Sequence, residues 1–335
     1  MPIPYKHPDP YPLHGGSPLQ AGCVAILGDV MVDRFVWGSV DRISPEAPVP
    51  VVRVTRRSTH LGGAGNVAHN VATLGATPLL IGRLGQDEMA QAFQELAATQ
   101  KVDTSLMTFS DVPTTSKTRV IARSQQVVRF DEEDTDIMTE SLRAELLEKV
   151  KEARKKTSVL IVSDYGKGVI DQKMLDDVKA IWVDGTILVD PKPRKGIDYK
   201  GVTGMTPNKS EARGLADDMP ADTDAQVEVL ATELMHKFDL QHILITRSEQ
   251  GMSLCTKAGT AFHMPTHAAQ VVDVSGAGDT VMAVFATGLA MDMRPERAAY
   301  LANLAGGVVV TKLGTATVTW AEVMQKDQEQ RGTAA

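Results

Sequence analysis

The sequence predicts an α/β fold with parallel strands, and three observations carry that expectation. Short apolar runs recur along the chain, helical stretches separate them, and each run ends in a small or polar residue. The runs are Cys23-Val-Ala-Ile-Leu-Gly28, Val159-Leu-Ile-Val-Ser163, Thr186-Ile-Leu-Val-Asp190 and His242-Ile-Leu-Ile-Thr246. A continuous apolar run of this length suits a strand covered on both faces. Between the runs, 87–99, 139–156, 171–182 and 223–238 carry apolar residues at helical spacing on polar backgrounds. Strand alternating with helix implies parallel strands joined by crossover helices. Ligands of such folds bind beyond the C-terminal strand ends. That draws attention to Gly28-Asp29, Ser163-Asp164, Asp190-Pro-Lys192 and Thr246-Arg-Ser248.

Two segments break the alternation. Arg34–Trp37 and Val49–Thr55 are β-like around the turn-rich Ser44-Pro-Glu-Ala-Pro48, and Thr115–Arg123 with Gln126–Asp131 reads as a hairpin. Antiparallel pieces inserted in an α/β chain suggest a small separate sheet, a lid or an oligomer contact. Residues 1 to about 20 are Pro-rich and read as a flexible or extended tail rather than a signal peptide.

The 335 residues, 43% hydrophobic and 23% charged, describe an ordinary globular chain. A net charge of −7 argues against nucleic acid or an anionic membrane as partner. No apolar run is long enough to span a bilayer. Two distant cysteines, Cys23 and Cys255, fit neither a disulfide framework nor a zinc site and suit a reducing cytosol.

The strongest chemical signal is Asp273-Val-Ser-Gly-Ala-Gly-Asp-Thr280 before the apolar run Val281–Ala290. Gly276-Ala277-Gly278 then lies at the mouth of a buried helix, where unpaired amides and the helix dipole favour an anion. Asp279 falls in the first turn, placed to accept a hydroxyl proton beside a transferring phosphoryl group. A first-turn acid alone would merely complement the dipole; after Gly-Ala-Gly, catalysis is the better reading. A second cluster, Leu61-Gly-Gly-Ala-Gly-Asn66, opens another small-residue helix. It lacks the Lys-Ser/Thr of a Walker A loop and the spacing of a dinucleotide fingerprint. Its amides and Asn66 suit sugar hydroxyls, and tight helix packing explains its glycines equally well. In Asn208-Lys209-Ser210-Glu211, Asn208 and Glu211 form a capping-box pattern. Beside a phosphate site, Glu211 suits Mg²⁺ held through water. Basic residues gather at Lys117, Arg119, Arg123 and Arg129, and again at Lys192, Arg194 and Lys195. Strand alternation puts 117, 119 and 123 on one face. Solvated charge and a substrate-phosphate pocket both explain them.

The two Gly-rich clusters and Asn208-Lys-Ser-Glu211, in this order, resemble the signatures of the PfkB/ribokinase family of carbohydrate kinases over about residues 22–325. The resemblance implies a Rossmann-like α/β/α sandwich with a small β-sheet lid that often makes dimers. It implies one kinase domain over 21–330 with lid segments near 34–58 and 115–131. Arg42–Val51, Arg123–Arg129, Ser163–Gly168, Thr246–Met252 and Lys312–Ala316 are similar to the branch that phosphorylates D-glycero-β-D-manno-heptose 7-phosphate at O1 with ATP, toward ADP-heptose and the lipopolysaccharide inner core. A stand-alone cytoplasmic kinase, served by a separate adenylyltransferase, is the form expected.

By that resemblance Asp279 is the base, with Gly276, Ala277 and Gly278 as the anion hole. Asn208 and Glu211, with Lys209 and Ser210 between them, serve Mg²⁺ and the ATP phosphates, and Thr246, Ser248, Gly251 and Asn303 lie near the nucleotide. Asp29, Asp33, Gly62, Gly63 and Asn66 hold sugar hydroxyls. Arg123, Arg129 or Lys192 is placed at the substrate phosphate as a guess from charge. The rivals are a kinase of the same family for another sugar, sugar phosphate or nucleoside, and a catalytically silent binding regulator. A dehydrogenase is disfavoured by the missing fingerprint.

Overall fold

A computed structural model describes residues 22–123, 125–135, 138–266 and 271–333. The expected N-terminal tail lies outside the described residues. The chain runs β1 (Cys23–Gly28), β2 (Val30–Ile43), β3 (Pro50–Gly63), α1 (Ala64–Thr73), β4 (Thr77–Leu84), α2 (Glu88–Thr99) and β5 (Met107–Phe109). Next come β6 (Ser116–Ala122), β7 (Gln125–Glu132), α3 (Glu140–Arg154), β8 (Val159–Ser163), α4 (Gln172–Ile181) and β9 (Thr186–Asp190). Then follow β10 (Gly204–Met205), α5 (Lys209–Leu215), α6 (Asp224–Phe238), β11 (His242–Thr246), β12 (Met252–Thr256) and β13 (Ala261–Met264). The last helices are α7 (Ala277–Ala290), α8 (Pro295–Val309) and α9 (Trp320–Thr333).

The four expected strands form as read. Four expected helices also form, each starting after an Asp or Thr whose side chain accepts from the third helical amide: Asp87, Thr139, Asp171 and Thr223. The large sheet has the order β13-β12-β11-β10-β9-β8-β1-β4-β5, parallel from β11 to β5 with β12 and β13 antiparallel at one edge. Alternate residues of each apolar run enter opposite cores, as the two-residue period of a strand requires. Val24, Ile26, Ile161, Leu188 and Leu244 pack with α1, α2, α7 and α8. Ala25, Leu27, Leu160, Val189 and Ile243 pack with α3, α4 and α6. Three layers result.

From β1 the chain first builds toward β4 and β5, then returns to build from β8 outward on the other side. The order therefore reverses between β1 and β8, and the crevice at their C-terminal ends is where a ligand is expected. Over that crevice lies the second sheet, ordered β3-β2-β6-β7. It is more than two hairpins, because β2 and β6 pair in parallel with Asp33 opposite Lys117 and Phe35 opposite Arg119. Its strands also reach further toward the crevice than expected: β2 and β3 pair from Val30 to Gly63.

Candidate active site

The mouth of α7 is built around one carboxylate. Gly276, the residue before the helix, has φ 77°, a conformation that favours glycine, and a Cβ there would lie 2.8 Å from the Asn66 amide nitrogen. Among the described residues the Gly276, Gly278 and Asp279 amides have no backbone acceptor, whereas the Ala277 amide already donates to the Val274 carbonyl. Of the three residues expected at the anion site, Ala277 alone has its amide taken among the described residues. Asp279 is buried, and both its oxygens are engaged. Asn66 donates to Oδ2 at 2.6 Å and the Tyr165 hydroxyl donates to Oδ1 at 2.5 Å. Burial pushes its carboxyl up to about 6; the Tyr165 and Asn66 hydrogen bonds oppose that shift and the nearby Asp33 charge adds to it.

Three cavities meet at this point. The first, about 190 Å³, lies under the lid and is lined by Asp33, Gly63, Asn66, Lys117, Arg119 and Asp279 among others. The second, about 200 Å³, is walled by Asp164, Asp190, Lys192, Asn208, Glu211 and again Asp279. The third, about 450 Å³ and largely apolar, holds Thr246, Ser248, Gly251, Asn303, Ala277 and Gly278 on its wall. Asp279, Gly276 and Tyr165 line both the first and the second, and Gly278 and Thr246 line both the second and the third. The succession suits a polyhydroxylated molecule, a chain of phosphates and a flat base, in that order. In the second cavity burial and the surrounding Asp279, Glu211 and Asp164 charges drive the Asp190 carboxyl well upward, and burial raises Glu211. Among the described residues no three His, Cys, Asp or Glu side chains come together as direct metal ligands, so a divalent cation here would be held largely through its own waters.

Most residues singled out in the sequence arrive at these walls, but several do not. Asp29 lines none of the three cavities: its carboxylate accepts from the amides of Tyr165, Lys167 and Val169 at 2.9–3.0 Å and is buried beneath the crevice. Gly62 sits behind Asp33, with no room for a Cβ, rather than on the wall. Lys209 turns away to Asp222 at 3.3 Å, and Ser210 is exposed and lines none of the three cavities. Asn208 and Glu211 make the full capping box while also lining the second cavity.

The cation guesses need correction. Strand β6 ends at Ala122, so Arg123 leaves the alternation, with φ 49° and its guanidinium on the Val40 carbonyl. Arg129 stands opposite Arg119 on the same face of the lid sheet, but it is paired with Asp131 at 3.0 Å and does not line the cavity. Lys192 belongs to the second cavity. The cations on the lid-covered cavity are Lys117 and Arg119. Arg119 is bound to Asp33 at 2.5 Å, whereas among the described residues Lys117 forms no salt bridge; its neighbour Lys167 is neutralised by Glu133 at 2.6 Å. Burial and Lys167 lower the Lys117 ammonium pKa. The residue to which sequence reasoning gave no role is Tyr165, whose signals were its place just past the end of β8 and inside the Ser163–Gly168 segment.

Fold and site together define a kinase of small molecules. A family description, pfkB family carbohydrate kinase, matches residues 23–322, and the chain belongs to that family. It is 42% identical over 303 residues to the bifunctional protein HldE of Histophilus somni and 43% identical over 302 residues to that of Actinobacillus succinogenes. Each match takes in 90% of this chain and 62% of the relative, so the chain spans about three-fifths of the length of these relatives. Among solved structures, phosphofructokinase-2 from Escherichia coli with substrates and products superposes with a TM-score of 0.76 at 17% identity, covering 92% of this chain and 99% of that one. Ribokinase from Arabidopsis thaliana complexed with ribose and ATP gives 0.72 at 20% identity, covering 91% and 98%. These likenesses establish the fold.

Proposed function

We propose that this carbohydrate kinase transfers the γ-phosphoryl group of ATP to O1 of D-glycero-β-D-manno-heptose 7-phosphate, giving the 1,7-bisphosphate for ADP-heptose synthesis. The observation that carries the phosphoryl-transfer reading is that Asp279 faces two cavities at once, one under the lid and one walled for phosphates. The similarity to HldE and the two cations Lys117 and Arg119 beneath the lid support a phosphorylated sugar as acceptor.

In this reading the sugar lies between Asp33, Asn66 and the lid with O1 toward Asp279, and its phosphate reaches Lys117 and Arg119. ATP sets its base in the largest cavity and its phosphates along the second. Asp279 takes the O1 proton as O1 bonds to the γ-phosphorus, and the bond to the ADP oxygen breaks in line. The Gly278 and Asp279 amides, unpaired at the helix mouth, stabilise charge on the transferring group. Glu211 and Asn208 would hold Mg²⁺ through water, where it would neutralise phosphate charge. Apolar side chains on the outer lid face, among them Val128 and Phe130, support a homodimer made through the lid.

The test is a panel of acceptors followed by ADP release: heptose 7-phosphate, the unphosphorylated heptose, fructose 6-phosphate, ribose and adenosine. The heptose phosphate is expected to lead in kcat/KM. Lys117→Met should raise its KM by about 10–100-fold, the scale of one charge-assisted contact, with the KM for ATP unchanged. Preference for an unphosphorylated sugar would overturn the substrate assignment.

A further inference from the structure

Tyr165 is absent from every role assigned so far, yet it makes the shortest hydrogen bond to the carboxylate at the centre of the site. It stands just beyond β8, at the point where the strand order reverses. The loop that presents it is folded around Asp29, whose two oxygens take the amides of residues 165, 167 and 169. Gly166 and Gly168, at φ 67° and 93°, allow that wrap. A Cβ on Gly168 would come within 2.8 Å of the Thr135 carbonyl. The backbone beneath the phenol is therefore fixed from the end of β1, and among the described residues the hydroxyl has one side-chain partner, Oδ1 of Asp279. The ring itself is half-buried and lines the lid cavity and the phosphate cavity together.

We propose that Tyr165 is a positioning residue for phosphoryl transfer, its hydroxyl locking the Asp279 carboxylate toward the acceptor hydroxyl and holding it ionised. The inference rests on Asp279 being the base. A phenol suits the task because it donates without bringing a charge, and burial beside Asp279 raises its own pKa well above the usual value, so the proton stays on the tyrosine. With Asn66 on Oδ2, the carboxylate is clamped from two sides, by α1 and by the loop after β8. Other charges face it as well: Asp33, Lys117 and Arg119 from the lid, and Asp164, Asp190, Lys192 and Glu211 from the phosphate side.

The experiment is the pH dependence of kcat, with ATP and the best acceptor of the panel both saturating. Tyr165→Phe removes one oxygen. It should lower kcat about 10-fold at pH 8, leave both KM values within about twofold, and move the acid limb up by on the order of half a unit to one unit, because a donor that favoured the ionised carboxylate is gone. Replacing the tyrosines by 3-fluorotyrosine, a stronger donor of nearly the same shape, should move the limb down, and it remains a usable arm if the phenylalanine variant folds poorly. The acceptor's own phosphate titrates alike in all three proteins and drops out of the comparison. An acid limb that stays in place in the variant and the fluorinated protein overturns the proposal, whatever happens to the rate. Asp279→Asn run in parallel separates the two ideas: near-normal turnover there removes the base, whereas a silent Asp279→Asn beside an unmoved limb removes only the role of Tyr165.

Discussion

Replacing Asp279 by Asn should inactivate the protein and stabilise it at the same time. In the fold the carboxyl is raised from 3.8 to about 6, chiefly by burial. A shift of roughly two units corresponds to about 3 kcal/mol of penalty on the ionised form. The sign follows from the direction. A carboxyl whose folded value lies above its unfolded value binds its proton more tightly in the fold, so stability is lost as pH rises from about 4 through 6 and stays lost above. Asn is neutral throughout and escapes that loss. Its amide also fits, since its oxygen can accept from Asn66 while its nitrogen donates to the Tyr165 oxygen. For roughly 300 ordered residues the melting entropy is about 0.6 kcal/mol per kelvin, so the variant should melt about 4–5 °C higher at pH 7.5. The gain should shrink as the pH falls and vanish near pH 4. Turnover should drop by about 10²–10⁴-fold, or about 3–5 kcal/mol of barrier. Thermal melts at pH 7.5 and 4.5, with ADP release at pH 7.5, decide the matter. An Asn variant that melts lower at pH 7.5, or by the same difference at both pH values, refutes the burial argument; one that turns over normally refutes the base.

Two further outcomes follow from the same geometry. Gly276→Ala puts a Cβ 2.8 Å from the Asn66 amide at a φ of 77°, and should cost about 1–3 kcal/mol of stability in denaturant titration while lowering kcat at least 10-fold. Unchanged values would mean that the helix mouth tolerates movement. Asp29→Ala strips the acceptor from three amides and should destabilise by about 3 kcal/mol or more, with hydrogen exchange at 165–169 speeding up; slow exchange there would show that the loop is held by something else.

The sheet was readable because its inner strands are covered on both sides and advertise themselves as unbroken apolar runs. Strand β4 was not, since Pro78 and Gly82 flank the short run Leu79-Leu80-Ile81 and each speaks against a central strand when met alone. In the fold Pro78 is near the start of the strand, opposite Val24. Asp279 and the glycines before it were legible because their meaning is local: a helix mouth binds anions whatever surrounds it. Tyr165 was not, because its partner lies 114 residues away. Choosing Lys117 over Arg123 was equally out of reach, for it depends on where β6 stops and on its parallel match to β2. Asp29 was noticed for its position at a strand end, but its three contacts with the loop amides were not legible, as position cannot say whether a carboxylate faces a cavity or its own backbone.

The clamp on Asp279 joins residues 66, 165 and 279. The candidate centre is therefore a meeting point of three distant stretches of chain. Damage to any one of them reaches the chemistry without touching what is bound, so catalytic output should fade under sequence drift well before the molecule ceases to fold.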